Sequence, residues 1–121
     1  MVKSSTGLVL MVGTPIVQTK SPENFNTYFE GAGKDLVMIG MDVQADALDA
    51  CVAMMRGWNN LGGFVVTVPH KQAFAARIDS LSARAAALGA VNVVRREPDG
   101  RLVGDMVDGF GFLNAARTHG F

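Results

Sequence analysis

Three apolar runs constrain this chain more than any other feature: residues 8–12 (LVLMV), 36–43 (LVMIGMDV) and 64–68 (FVVTV). A strand that is apolar at nearly every position must be covered on both faces. The segments between the runs carry a helical period. Ser21-Pro22-Glu23 is a helix-start signal, with a capping hydroxyl, proline at the first helical position and then an acid. Phe25, Tyr28, Phe29 and Ala32 then share one face, and Gly33 stops the helix. Leu48, Cys51, Val52 and Met55 share one face of a second helix. Pro69 opens a third helical stretch in which Phe74, Ile78 and Leu81 line up. It breaks near Asp79-Ser80 and continues to Leu88, with Gly89 as its cap. Residues 91–96 and 101–104 flank Glu97-Pro98-Asp99-Gly100, whose proline and glycine suit a type I turn, so they predict an antiparallel hairpin. A last helix carries Phe112, Leu113 and Ala116 on one face. The order predicts an α/β three-layer sandwich: a mostly parallel sheet with one antiparallel hairpin and helices on both faces.

Composition narrows the function. The 121 residues suit one domain, and 49% of them are apolar. Eleven basic residues balance eleven acidic ones, so neither nucleic acid nor an anionic membrane is the expected partner. No run is long enough to span a membrane, and the start reads as a strand rather than a signal peptide, so a cytoplasmic protein is expected. The single cysteine, Cys51, falls among helix-patterned apolar residues and reads as a buried thiol.

Ligands of open α/β sheets sit beyond the carboxyl ends of the strands. Lys71 follows the third run by three residues and falls in the first turn of the expected helix. A cation there meets the positive end of the macrodipole, at a cost of roughly 0.3–1 kcal/mol, in a field suited to proton transfer. Asp108 follows a strand and precedes Gly109, so it either caps a helix or reaches Lys71 to form an acid/base couple. Asp105 competes for that role. Thr19 and Ser21 place hydroxyls before a helix N-terminus, where they could cradle a carboxylate. Each also fits a blander role: Lys71 as a solvated surface lysine, Ser21 as a simple cap. His70 has no second ligand at metal spacing and reads as solvent-facing. Gly109-Phe110-Gly111 lacks the third glycine of a dinucleotide fingerprint, since Asn114 stands there. The chain's own residues therefore predict neither a cofactor-binding nor a metal site.

Taken together, G-T-P-I-V-Q-T-K-S-P, V-T-V-P-H-K, L-G-A-V-N and G-D-M-V-D-G-F-G, in that order between Gly13 and Gly111, resemble the substrate-binding domain of the shikimate/quinate dehydrogenase family. The resemblance implies oxidation of a ring hydroxyl on a small cyclic hydroxy carboxylic acid, with NADP or NAD as hydride acceptor. It implies that Lys71 and Asp108 are the catalytic pair and that Thr19 and Ser21 hold the substrate carboxylate. Thr67 and Asn92 match positions that contact substrate. Residues 1–121 then correspond to the substrate-binding domain alone. The Rossmann domain that binds the cofactor in this family is expected after Phe121, so the chain by itself should not turn over. Apolar surface left where that domain docks could drive homodimers. A non-catalytic module binding a small cyclic acid is the alternative. Several positions depart from the family pattern: Gln18-Thr19 replaces His-Ser, Phe25 replaces histidine, Val65 asparagine, Val93 threonine, and Met106-Val107 Asn-Thr. Each lost hydrogen-bonding partner would cost a polyhydroxylated substrate roughly 1–3 kcal/mol.

Overall fold

The computed structural model describes residues 2–107; the expected last helix, with Phe112, Leu113 and Ala116, lies outside the described residues. The three apolar runs form β1 (Gly7–Gly13), β2 (Leu36–Asp42) and β3 (Leu61–Val66). The hairpin strands are β5 (Val93–Arg96) and β6 (Leu102–Asp105), and a two-residue strand, β4 (Ser80–Leu81), precedes them. The helices are α1 (Ser21–Gly31), α2 (Leu48–Arg56), α3 (Lys71–Ala75) and α4 (Ala83–Leu88). One sheet runs in the order β2-β1-β3-β5-β6-β4, and only β5 opposes the others.

Alternation along each strand explains why the runs are apolar throughout. In β1, Leu10 and Val12 face a cluster containing Leu48, Val52 and Met55 of α2, Phe74 of α3 and Ala85 of α4. Val9 and Met11 face the other side, where Phe29 of α1 packs with Met38, Val65 and Val93. The helical face read as Leu48, Cys51, Val52 and Met55 is buried at all four positions. Burial pushes the Cys51 thiol pKa up, away from reactivity. The expected three-layer architecture is therefore the observed one.

The segment after β3 differs from the expectation. The chain turns between Thr67 and His70, whose N–H donates to the Thr67 carbonyl at 3.1 Å. Pro69 is third in this turn and its peptide bond is cis, the geometry of a type VI turn. Pro69 lies in this turn and not in a helix, and α3 starts at Lys71. Nor do Phe74, Ile78 and Leu81 form one helical stripe. Asp79 donates its N–H to the Leu102 carbonyl (3.0 Å) and accepts the Leu102 N–H on its carboxylate (2.8 Å), drawing the chain into β4 beside β6. Ser82 then caps α4 by accepting the Ala85 N–H at 3.1 Å, and Gly89 ends it in the left-handed region at φ 65°.

At the far end of the hairpin, the Gly100 N–H closes the expected turn onto the Glu97 carbonyl at 2.9 Å. The turn packs against the end of α2, whose last carbonyls, of Met55 and Arg56, accept from the Arg96 guanidinium at 2.9 and 2.8 Å. Gly100 sits at φ 93°, and a Cβ there would collide with the Arg56 carbonyl oxygen. Gly100→Ala should therefore destabilise the protein by about 1–3 kcal/mol in urea unfolding; an unchanged midpoint would contradict this packing.

Candidate active site

Parallel pairing brings strand ends to one edge. Gly13 lies beside Asp42, β3 ends next to them at Val66, and Asp105 of β6 lies opposite Val93, the first residue of β5. The segments leaving the edge are stitched together by backbone bonds. Val43 N–H donates to Gly13 O (3.1 Å), Thr67 N–H to Val12 O (2.8 Å), Val66 N–H to Asn92 O (2.9 Å) and Asn92 N–H to Asp105 O (3.0 Å). Val91 N–H donates to Lys71 O at 3.0 Å, which ties the start of α3 to the β5 side. These bonds bring Thr67, Lys71 and Asn92 to the same edge, and the segment from Gly13 that carries Thr19 and Ser21 leaves the sheet there. Asp108 lies outside the described residues.

The side chains divide into those already committed to the fold and those left available. Thr19 Oγ1 donates to the Ile16 carbonyl at 3.0 Å, so its lone pairs remain but its proton is used. Ser21 is not the expected cap: Lys20 occupies that place and no side chain caps α1. Among the described residues nothing hydrogen-bonds the half-buried Ser21 hydroxyl, nor the Thr67 hydroxyl or the half-buried Lys71 ammonium. Thr67 stands two residues beyond Val65, on the α1 side of the sheet. Its methyl occupies the space a side chain on Gly13 would need, and a Cβ there would also lie 3.1 Å from the Val68 carbonyl.

Asn92 is more deeply committed than its sequence position suggests. Its amide nitrogen donates to the Val107 carbonyl at 2.6 Å and its amide oxygen accepts the Val107 N–H at 2.9 Å. The side chain thus imitates a strand partner for the segment leaving β6. Asp105, the competitor for the acid role, is likewise occupied. It accepts from Ser82 Oγ (2.6 Å), Arg84 Nε and Nη2 (2.7 and 2.8 Å) and the Met106 N–H (2.7 Å). The Arg84 hydrogen bond first, then those from Ser82 and Met106, hold its carboxyl pKa well below the usual range, against the opposing effect of burial. Asp105 is therefore a clamp between β6 and α4, turned toward Ser82 and Arg84.

His70 was expected to face solvent, but it is 1% exposed. Its Nε2 lies 2.6 Å from the Val43 carbonyl, an acceptor, so Nε2 carries a hydrogen and donates. The ring packs edge-on against Phe74, at 6.4 Å between centroids. His70 thus latches the turn before Lys71 to the segment leaving β2. A histidine between proline and lysine gives no periodic signal that would announce this. Among the described residues no cluster of His, Cys, Asp and Glu could hold a metal. At the opposite end of the sheet, a hollow of about 190 Å³ is lined by Thr6, Asn26, Glu30 and Lys34, among others. It is remote from Lys71 by topology.

Two expectations follow. Asn92→Ala leaves the Val107 N–H and carbonyl without partners and should cost about 1–3 kcal/mol in chemical unfolding; a neutral result would show that the fork is not holding that segment. Asp105→Asn should destabilise the protein by about 1–2 kcal/mol at neutral pH. The folded pKa of Asp105 is depressed, so its contribution is present above the unfolded value of 3.8 and is lost as pH falls toward the lower folded value. The gap between wild type and variant should thus narrow progressively as pH falls below about 5. A gap that stays constant across that range would contradict the charged clamp.

Known proteins resemble this chain in sequence and in fold. The family model described as the shikimate dehydrogenase substrate binding domain matches residues 11–94. A shikimate dehydrogenase (NADP(+)) of Rubrobacter xylanophilus is 40% identical over 121 residues, covering 98% of this chain and 42% of the relative. Among solved structures, shikimate 5-dehydrogenase from Listeria monocytogenes, in complex with shikimate and NAD, superposes with a TM-score of 0.85 at 34% identity; the match covers 98% of this chain and 40% of that one. The ligand-free 5-ketofructose reductase of a Gluconobacter species gives 0.81 at 30% identity, over 93% of this chain and 40% of that one. The chain therefore spans about two fifths of the length of these relatives. It belongs to the shikimate dehydrogenase substrate-binding domain family.

Proposed function

We propose that residues 1–121 form the substrate-binding domain of a shikimate-type dehydrogenase that interconverts a ring hydroxyl and a ketone on a small cyclic hydroxy acid. The observation that carries this reading is a polar set at the carboxyl edge that makes no side-chain hydrogen bond among the described residues: the Lys71 ammonium, with the Thr67 and Ser21 hydroxyls. Family membership supports it, as do the names of the relatives.

Lys71 exchanges the proton of the reacting oxygen. In the reduction direction its ammonium donates that proton to the ketone oxygen and is left as the neutral amine; in the oxidation direction the amine takes the hydroxyl proton. Asp108 holds the lysine in place. Ser21 donates to the substrate carboxylate at the N-terminal end of α1, where the helix dipole favours an anion, and Thr19 lies beside it. Thr67 contacts the ring. The Asn92 amide positions the segment that leads to Asp108 through its grip on Val107.

The described residues hold no glycine-rich strand-to-helix turn of the kind that seats a dinucleotide pyrophosphate. We therefore assign NADP, the cofactor in the relatives' names, to a further domain, as the family resemblance implies. When bound, the cofactor supplies the hydride acceptor. Val17 and Val68 leave apolar side chains 89% and 66% exposed on the segments that leave this edge, where such a domain would cover them. The protein works in the cytoplasm on this reading, and no described helix is long and apolar enough to cross a membrane.

Lys71→Ala in the full-length protein tests the reading. Turnover of a cyclic hydroxy acid with NADP should fall about 10²–10⁴-fold while substrate binding changes far less. Undiminished turnover would remove Lys71 from the chemistry, and a matching loss of binding alone would favour a pure binding module.

A further inference from the structure

Strand β2 is the edge of the sheet beside β1. Asp35 and Val43, which flank it, bond through their backbone to Gly7 and Gly13 of β1. The odd-numbered residues of β2 therefore turn their backbone toward β1, and Met38 turns its own outward. Asn26 of α1 takes both outward groups. Its amide nitrogen donates to the Met38 carbonyl at 2.9 Å, and its amide oxygen accepts the Met38 N–H at 2.7 Å. A side-chain amide thus pairs with the edge as a further strand would.

Farther along β2, Asp42 makes a second attachment: its carboxylate accepts the Ile16 N–H at 3.1 Å. Gly40 lies between the two and leaves room for Ile16, whose Cγ2 would stand 3.2 Å from a Cβ at that position. Residues 16–26 are therefore fastened to one strand at both ends, with Thr19 and Ser21 between the fasteners. Thr19 donates its N–H and its hydroxyl to the Ile16 carbonyl, at 3.1 and 3.0 Å, so it follows Ile16. Ser21 opens α1 without a capping bond, so the helix sets where its hydroxyl stands.

Two kinds of contact hold α1 on the sheet. Phe29, with Phe25 and Tyr28, packs into the cluster of Val9, Met11 and Met38. Apolar packing has no preferred direction and tolerates a slide along the helix axis. The Asn26 fork does not, because hydrogen bonds weaken steeply with distance and angle. Met38 pairs with Val9 in the β1–β2 register, so the fork passes that register on to the start of α1.

We propose that β2 is a two-point mount, and that Asn26 and Asp42 are positioning residues for the carboxylate-binding segment, acting through Ser21 and Thr19. This deepens the function proposed above and rests on it. Asn26 carries the larger share, because its fork is partly buried whereas the Asp42–Ile16 bond is exposed to water.

Calorimetric titration of the full-length protein with shikimate, beside steady-state turnover with NADP, tests the mount. Asn26→Ala should weaken binding about 5–20-fold and leave kcat within about twofold, since Lys71 lies outside the mounted segment. Asp42→Ala should weaken binding about two- to fivefold, and Asp42→Asn, which keeps an acceptor for Ile16, should restore it. In a Ser21→Ala background, Asn26→Ala should cost less than about twofold more, whereas a merely structural role would add its loss in full. Should Asn26→Ala fail to fold, Asn26→Asp, which keeps the acceptor for Met38 and loses the donor, takes its place. Unchanged affinity in both the Asn26 and Asp42→Ala variants, or losses fully additive with that of Ser21→Ala, would overturn the mount alone. Wild-type protein that neither binds nor oxidises shikimate would overturn the proposed function and the mount together.

Discussion

Strand β1 is hydrogen-bonded in parallel to β2 on one side and β3 on the other, and the rest of the structure depends on the register of those two pairings. The register decides which residues end at the carboxyl edge, and so which loops can meet. It lets the Thr67 N–H reach the Val12 carbonyl, places Thr67 over the bare face of Gly13, and aligns Met11 with Val65. A slip by one residue would send Met11 and Val65 to the α2 face and bring Leu10 and Phe64 under the site. Apolar side chains on both faces of β1 resist such a slip only through shape, because Val9 and Met11 must fit against α1 while Leu10 and Val12 fit against α2.

A second layer of polar clamps holds the loops onto that frame. Each clamp joins parts of the chain distant in sequence: His70 to Val43, Asn92 to Val107, Asp105 to Ser82 and Arg84. Their common effect is to fix the orientation of His70, Asn92 and Asp105 on the frame. What remains uncommitted is small in number and clustered, and this is what gives the edge a chemical identity. Preorganisation of this kind suits a site that must hold a lysine against one oxygen atom, since the groups around it need not reorganise.

Much of this was legible in the sequence. The apolar runs announced the parallel strands, the face containing Leu48, Cys51, Val52 and Met55 announced α2, and Glu97-Pro98-Asp99-Gly100 announced the hairpin. What escaped the sequence was set by contacts across the chain. Strand β4 exists because Asp79 and Leu102, 23 residues apart, exchange hydrogen bonds, and two residues carry no periodicity. The turn at Pro69 depends on His70 reaching Val43, 27 residues away. The rivalry between Asp105 and Asp108 could not be resolved from spacing, because the partner that occupies Asp105 is Arg84, 21 residues upstream. Ser21 reads as a cap by rule, but Lys20 takes that place in the fold and leaves the Ser21 hydroxyl without a capping bond.

The central claim is that a cyclic hydroxy acid binds over the α1 face at the carboxyl edge. Amide chemical-shift mapping on the full-length protein, titrated with shikimate, tests it most directly. The account predicts that the largest shifts fall on Ser21, Thr67, Lys71 and Val93. Shifts confined instead to the opposite end of the sheet, around Thr6, Asn26 and Lys34, would contradict it.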